Sequence, residues 1–216
     1  MPIKPLSYDP PSDDLRIVYR DRNLLVVDKP AGLLSVPGKA AEHADCLETR
    51  VRDRFPEALL VHRLDMDTSG LMVFAMNPGS QRHLGLQFEK RQVTKTYIAD
   101  VDGIVEADAG EVNLPLRCDW PNRPLQMVCH EQGRPALTGW EVAERRKERT
   151  RLRLFPKTGR SHQLRVHMLS IGHPILGDRF YAPDHPADRL HLHATTLELH
   201  NPDAGNRIRF DSPCPF

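Results

Sequence analysis

His62-Arg63-Leu64-Asp65-Met66-Asp67-Thr68-Ser69-Gly70 leads straight into the apolar run Leu71-Met72-Val73-Phe74-Ala75-Met76. Two carboxylates, two hydroxyls, an imidazole and a guanidinium within nine residues are too polar for a core strand. The first stretch therefore reads as a loop beside the core and the second as a buried strand. From the residues alone, Asp65 and Asp67 admit three readings: a glycosidase-like acid and base, two ligands of a divalent metal, or turn residues bonded to their own backbone. The turn is the default.

Outward from this point, strands and helices alternate irregularly. Leu24-Leu25-Val26-Val27 followed by Asp28-Lys29-Pro30-Ala31-Gly32 predicts a buried strand running into a turn. Asp45 with Glu48 predicts a capping box for a helix whose apolar positions are Leu47, Val51 and Phe55, closed by Pro56. Leu84 and Phe88 mark a second helix between Gly79 and Arg91, and Thr94 to Val101 reads as a strand. Residues 114–135 are broken by Pro and Gly and read as loop, whereas Thr138 to Val142 and Arg151 to Phe155 alternate as strands. Leu164, Met168 and Ile171 follow Gly159-Arg160-Ser161 at helical spacing with Gly172 as the stop, and Leu190 to Leu199 reads as a closing strand. Residues 1–14 hold four prolines and no periodic pattern, which predicts a flexible N-terminal arm. The class is α+β, with one domain over residues 15–216.

With 216 residues, 39% hydrophobic and 27% charged, the composition excludes wholesale disorder. The six-residue apolar run is far short of the ~20 residues of a membrane span. No signal core opens the chain, so a cytoplasmic location is expected. Cysteines 46, 118, 129 and 214 show no Cys-x-x-Cys spacing, which argues against a disulfide scaffold and a structural zinc. Glycine-rich phosphate loops are absent as well, so no nucleotide cofactor is expected. The net charge of +1 hides an uneven distribution. Glu144 to Arg165 carries nine Lys or Arg and two acids, whereas Ile98 to Glu111 carries five acids and no Lys or Arg. The positive stretch is either a phosphate-binding surface or a solvated strand pair.

His62-Arg63-Leu64-Asp65 with Thr68-Ser69-Gly70 resembles the H-R-L-D-x-x-T-S-G signature of RluA-type RNA pseudouridine synthases. Lys95-Thr96-Tyr97-Ile98-Ala99 resembles the family's K-x-Y-x-A strand, and Asp28-Lys29-Pro30-Ala31-Gly32-Leu33 its early block. Residues 158–167 and Gly172-His173-Pro174-Ile175-Leu176-Gly177-Asp178 are similar to its T-G-R-x-H-Q-[IL]-R-x-H and G-H-P-I-x-G-D blocks, in the family's order over residues 17–212. Cys118-Asp119-Trp120-Pro121-Asn122-Arg123-Pro124, the short N-terminus and the lack of an appended S4-type domain narrow the resemblance. They point to members acting on large-subunit rRNA and on tRNA anticodon stem-loops.

The resemblance implies a single catalytic domain over residues 15–216 with a mixed, mainly antiparallel sheet flanked by helices. It implies an isomerase that breaks the N1–C1′ bond of uridine, turns the uracil and joins C5 to C1′, needing neither cofactor nor metal. It assigns Asp65 as the carboxylate acting on the sugar, either as nucleophile or as base. A carboxylate enclosed with a base needs a fixed cation to stay charged, and Arg165 matches the motif arginine that supplies it. Tyr97 matches the tyrosine that stacks on the target uracil, and Arg63 the residue that fills the gap left by a flipped nucleotide. His62, Arg160 and His162 are expected as RNA contacts. Structured RNA, in rRNA and tRNA stem-loops, is the implied partner of a monomeric enzyme; the alternatives are a synthase of the same fold restricted to a single RNA target and a non-catalytic RNA-binding or chaperone protein of this fold.

Overall fold

The computed structural model describes residues 8–216. In chain order they form β1 (Arg16–Arg20), β2 (Leu24–Lys29), α1 (Leu47–Arg54), β3 (Leu59–Leu60), β4 (Ser69–Ala75), α2 (Pro78–Glu89) and β5 (Thr94–Asp102). There follow β6 (Ala109–Asn113), β7 (Leu116–Cys118), β8 (Gln126–Val128), β9 (Leu137–Arg145), β10 (Arg149–Pro156), α3 (Gln163–Ser170), β11 (Leu192–His200) and β12 (Arg207–Asp211). Two compact units result: residues 8–95 with His193–Pro215, and Thr96–Leu192 with Phe216. Among the described residues no helix is long and apolar enough to cross a membrane.

In the first unit the strand order is β1-β2-β4-β11, with β12 on β11 and β3 on β4. The β4–β11 ladder is parallel, while β1–β2, β2–β4 and β11–β12 run antiparallel. Leu24, Val26, Leu71, Val73 and Ala75 pack on one face with Leu84 of α2 and with Leu197, Leu199 and Phe210. Leu25, Val27, Met72 and Phe74 pack on the other face with Leu47 and Val51 of α1 and with Phe55. Covered on both sides, β2 and β4 need no polar alternation, which is why their sequences are continuous apolar runs. Leu84, fully buried, is the α2 anchor; truncating such a leucine to alanine costs about 2–5 kcal/mol.

Several expectations shift at the ends of elements. The cap of α1 is not Asp45 with Glu48: Cys46 is the N-cap, its Sγ accepting from the Thr49 amide while Thr49 Oγ1 accepts from the Cys46 amide. Asp45 instead accepts two hydrogen bonds from Arg50, at 2.7 Å each, because a guanidinium fork competes well for a nearby carboxylate. Of the expected arm over residues 1–14, residues 1–7 lie outside those described. Beyond them, Tyr8 Oη donates to the Asp45 carbonyl at 2.8 Å and Arg50 donates to Pro11 O at 2.7 Å.

In the second unit β6, β9, β10 and β5 form antiparallel ladders in that order. The stretch 114–135, read as loop, contains the β7–β8 hairpin, too short between its prolines to leave a periodic signal. Part of the basic stretch folds onto the acidic one. Arg151 grips Asp100 through Nε and Nη2 at 2.6 and 3.0 Å, and Arg149 and Arg146 lie 4.0 and 3.9 Å from the same carboxylate. Burial alone would raise the pKa of Asp100, but the His191 imidazole 3.5 Å away, the hydrogen bonds from Arg151 and the nearby arginine charges outweigh it and hold the carboxyl well below the usual range. Arg145 pairs with Asp108 and Arg153 with Glu141. Cross-strand charge pairing thus absorbs much of the excess that the sequence suggested for phosphate.

Candidate active site

The first unit carries Asp65 on a turn held from both sides. The Thr68 amide donates to Asp65 O at 3.2 Å, closing a turn with Met66 and Asp67 at its corners, the local role that the bare residues suggested for Asp67. One residue before Asp65, Ser35 Oγ donates to Leu64 O at 2.7 Å and accepts from Leu64 N at 3.2 Å. One residue after it, the fully buried Lys29 donates from Nζ to Met66 O at 2.8 Å, and also to Pro30 O at 2.9 Å and Leu33 O at 2.7 Å. A buried ammonium is tolerable only with its protons matched to acceptors, and here the acceptors are backbone carbonyls of the site loop and the following turn. Asp65 therefore projects from a backbone fixed at both neighbours, while Arg63 beside it is exposed.

Where this turn enters β4, Ser69 Oγ hydrogen-bonds His193 Nδ1 at 2.8 Å, and His193 Nε2 lies 3.2 Å from Ser212 Oγ, which donates to Asp28. Gly70 has φ +114, and a Cβ there would lie 2.3 Å from the Ala194 carbonyl oxygen. Only glycine allows that approach of β4 to β11. His62 is held against the core of the unit. Its ring stacks on Phe88 at 4.7 Å and its Nε2 accepts from the Val73 amide at 3.1 Å. Burial and then the charge of Lys95 push its pKa down to about 3, so the imidazole is a neutral acceptor that anchors the loop to β4.

The second unit carries Tyr97, buried on β5 opposite Leu154 of β10, and Arg165 on α3. Arg165 is 2% exposed and makes a bidentate pair with Asp178, Nε to Oδ2 at 2.6 Å and Nη2 to Oδ1 at 2.7 Å. Asp178 Oδ1 also accepts from the amides of Phe180 and Tyr181, and the guanidinium lies 5.3 and 5.1 Å from those two rings. The whole group is oriented before any substrate arrives.

The start of α3 is set by side chains. Gln163 Oε1 accepts from Thr158 Oγ1 at 2.7 Å and from the Arg160 amide at 3.0 Å, while its Nε2 donates to Leu137 O and Thr138 Oγ1. His162 precedes the helix in a left-handed conformation, φ +52, a strained setting for a non-glycine residue that is typical of functional positions. Its Nδ1 lies 2.7 Å from Tyr181 Oη. Arg160 reaches the Pro135 carbonyl through Nε at 3.2 Å. His167 is fully buried between Thr138 Oγ1 and Leu114 O, and its burial lowers its pKa; it is a packing residue of this helix. Among the described residues no cluster of three or more His, Cys, Asp or Glu could hold a metal ion.

Asp65, His62 and Arg63 thus share one loop, and Arg165, Arg160 and His162 share one helix entrance. Lys29, Ser35, Asp178 and Tyr181 were not singled out from the sequence. Lys29 and Asp178 lie inside the motif blocks, and a lysine embedded between an apolar strand and Pro-Ala-Gly was the available signal. Ser35 and Tyr181 left none.

The family model described as RNA pseudouridylate synthase matches residues 23–170. The chain is 51% identical over 215 residues to the dual-specificity RNA pseudouridine synthase RluA of Escherichia coli K12, covering 97% of this chain and 98% of that protein. It is 49% identical over 220 residues to the protein of the same name from Vibrio vulnificus, covering 98% and 88%. Among solved structures, human RNA pseudouridylate synthase domain containing 1 superposes with a TM-score of 0.78 at 31% identity, covering 99% of this chain and 87% of that one. A profile across most of the chain and relatives at half identity along nearly all of it settle the classification: the chain belongs to the RNA pseudouridylate synthase family.

Proposed function

We propose that this pseudouridine synthase acts on uridines in stem-loops of both large-subunit rRNA and tRNA, with Asp65, Tyr97 and Arg165 as its catalytic residues. The observation that carries the assignment of Asp65 is the double anchoring of its turn, by Ser35 at Leu64 and by Lys29 at Met66. Such fixation removes the reorganisation a nucleophile or base on a free loop would require. The Asp65 carboxylate acts at the sugar as the N1–C1′ bond breaks. Arg165, oriented by Asp178, supplies the cation that keeps a carboxylate ionised in a closed site. Tyr97 stacks on the uracil while it turns; C5 then bonds to C1′, its proton leaving by way of the Tyr97 hydroxyl, while N1, which kept the electron pair of the broken bond, takes a proton up, so that no net proton or electron is exchanged.

Arg63, exposed beside the turn, takes the space vacated by the flipped nucleotide, and Arg160 and His162 contact the RNA backbone. Flipping costs a few kcal/mol and least in loops, which suits stem-loop substrates. The dual target is supported by the names of relatives that match nearly end to end. The test is tritium release from uridine labelled at C5, in an rRNA stem-loop and in a tRNA anticodon stem-loop. Release from both is expected; release from one alone restricts the enzyme to a single RNA, and release from neither refutes the proposal.

A further inference from the structure

Trp120 is 62% exposed, although a residue of its size is ordinarily covered in a folded chain. It stands at the tip of the β7–β8 hairpin, where residues 120–124 are all exposed. The Arg123 guanidinium lies 4.4 Å from the centre of the indole, so one face of the ring is capped by a planar cation and much of the rest meets solvent. The tip is built, not loose. Asn122 donates to Asp119 through its amide at 3.0 Å and its side chain at 2.9 Å, and Asp119 N and Leu125 N close the turn onto Leu125 O and Asn122 O.

At the root, Leu116 and Val128 pack with Ala136, Val166 and Tyr181, and the Gln126 amide donates to Tyr181 Oη at 2.8 Å. That same hydroxyl meets His162, and the ring of Tyr181 flanks Arg165. The hairpin therefore rests on the helix that carries Arg165. Resting on the RNA-modifying reading, we propose that Trp120 and Arg123 form a stacking platform for one unpaired base of the substrate's loop.

The occupant follows from chemistry. A flat aromatic surface beside a guanidinium plane suits the π-face of any nucleobase, whereas a duplex offers its bases only edge-on. Arg117 and Met127, opposite each other in the hairpin register, extend the same arm with a charge and an apolar surface.

The experiment compares intact wild-type protein with Trp120→Ala, Trp120→Phe and Arg123→Ala on a stem-loop RNA carrying the target uridine. Tritium release and tryptophan emission are the readouts. Trp120→Ala is expected to raise KM by about five- to 150-fold, the range of base–aromatic stacking, with kcat at saturation unchanged. Trp120→Phe should recover most of the loss, and RNA should quench the wild-type emission more than that of Trp120→Phe. A Trp120→Ala variant with wild-type KM overturns the platform, as does a loss seen only for Arg123→Ala, which marks a phosphate clamp. Absence of tritium release by the wild type would instead strike the underlying enzymatic reading.

Discussion

The turn that presents Asp65 and the helix that presents Arg165 are both fixed by buried charge, but by different electrostatic devices. At the turn, the Lys29 ammonium is bonded to three carbonyl oxygens, so a point charge gathers backbone dipoles and shapes the chain itself. At the helix, a planar guanidinium meets a carboxylate edge to edge, so a side chain is aimed while the backbone is set separately by Gln163. The first device builds a platform for a short side chain; the second orients a long one. A short carboxylate has almost no reach of its own, and its position is that of its backbone.

The largest effect is expected at Asp178. Asp178→Ala leaves the Arg165 charge buried without that carboxylate, and a loss of about 3–5 kcal/mol in unfolding free energy is expected; urea denaturation measures it. Lys29→Met removes the common donor of three buried carbonyls, with a smaller expected loss of about 1–3 kcal/mol and a fall in kcat disproportionate to any rise in KM, read by steady-state kinetics. Ser35→Ala should cost about 1 kcal/mol, again with kcat falling before KM. If Ser35→Ala leaves kcat untouched, Lys29 alone sets the position of the turn.

A smaller effect is confined to acid. The His62 pKa is depressed from 6.5 to about 3, so the unfolded chain binds a proton there that the folded chain refuses. Stability from this residue is complete above pH 6.5 and is lost as pH falls toward 3. His62→Gln, which keeps an acceptor for the Val73 amide, should flatten the decline of Tm with acid across that window; an unchanged slope would show that His62 is not the titrating group.

The sequence made the apolar centre of the first unit legible because β2 and β4 are covered on both faces and therefore read as unbroken hydrophobic runs. The edge strands β1, β6 and β12 passed unread, being short and largely exposed. The cap at Cys46 was displaced from Asp45 because thiols rarely serve and a nearby Arg50 claimed the acid. In the site, the loop around Asp65 announced itself by polarity in front of a core strand, whereas Ser35 and Tyr181 act through single hydrogen bonds across distant segments, which no local pattern encodes. The arginine-rich stretch was misleading in part, since its charges meet acids on β5 and β9.

The most direct measurement is single-turnover conversion of a labelled stem-loop RNA by Asp65→Asn, with RNA affinity and thermal unfolding recorded on the same preparation. The account predicts near wild-type folding and binding with no detectable tritium release, because the amide keeps the shape of the carboxylate but neither its charge nor its nucleophilicity. Sustained turnover by protein verified to carry asparagine at that position would contradict it.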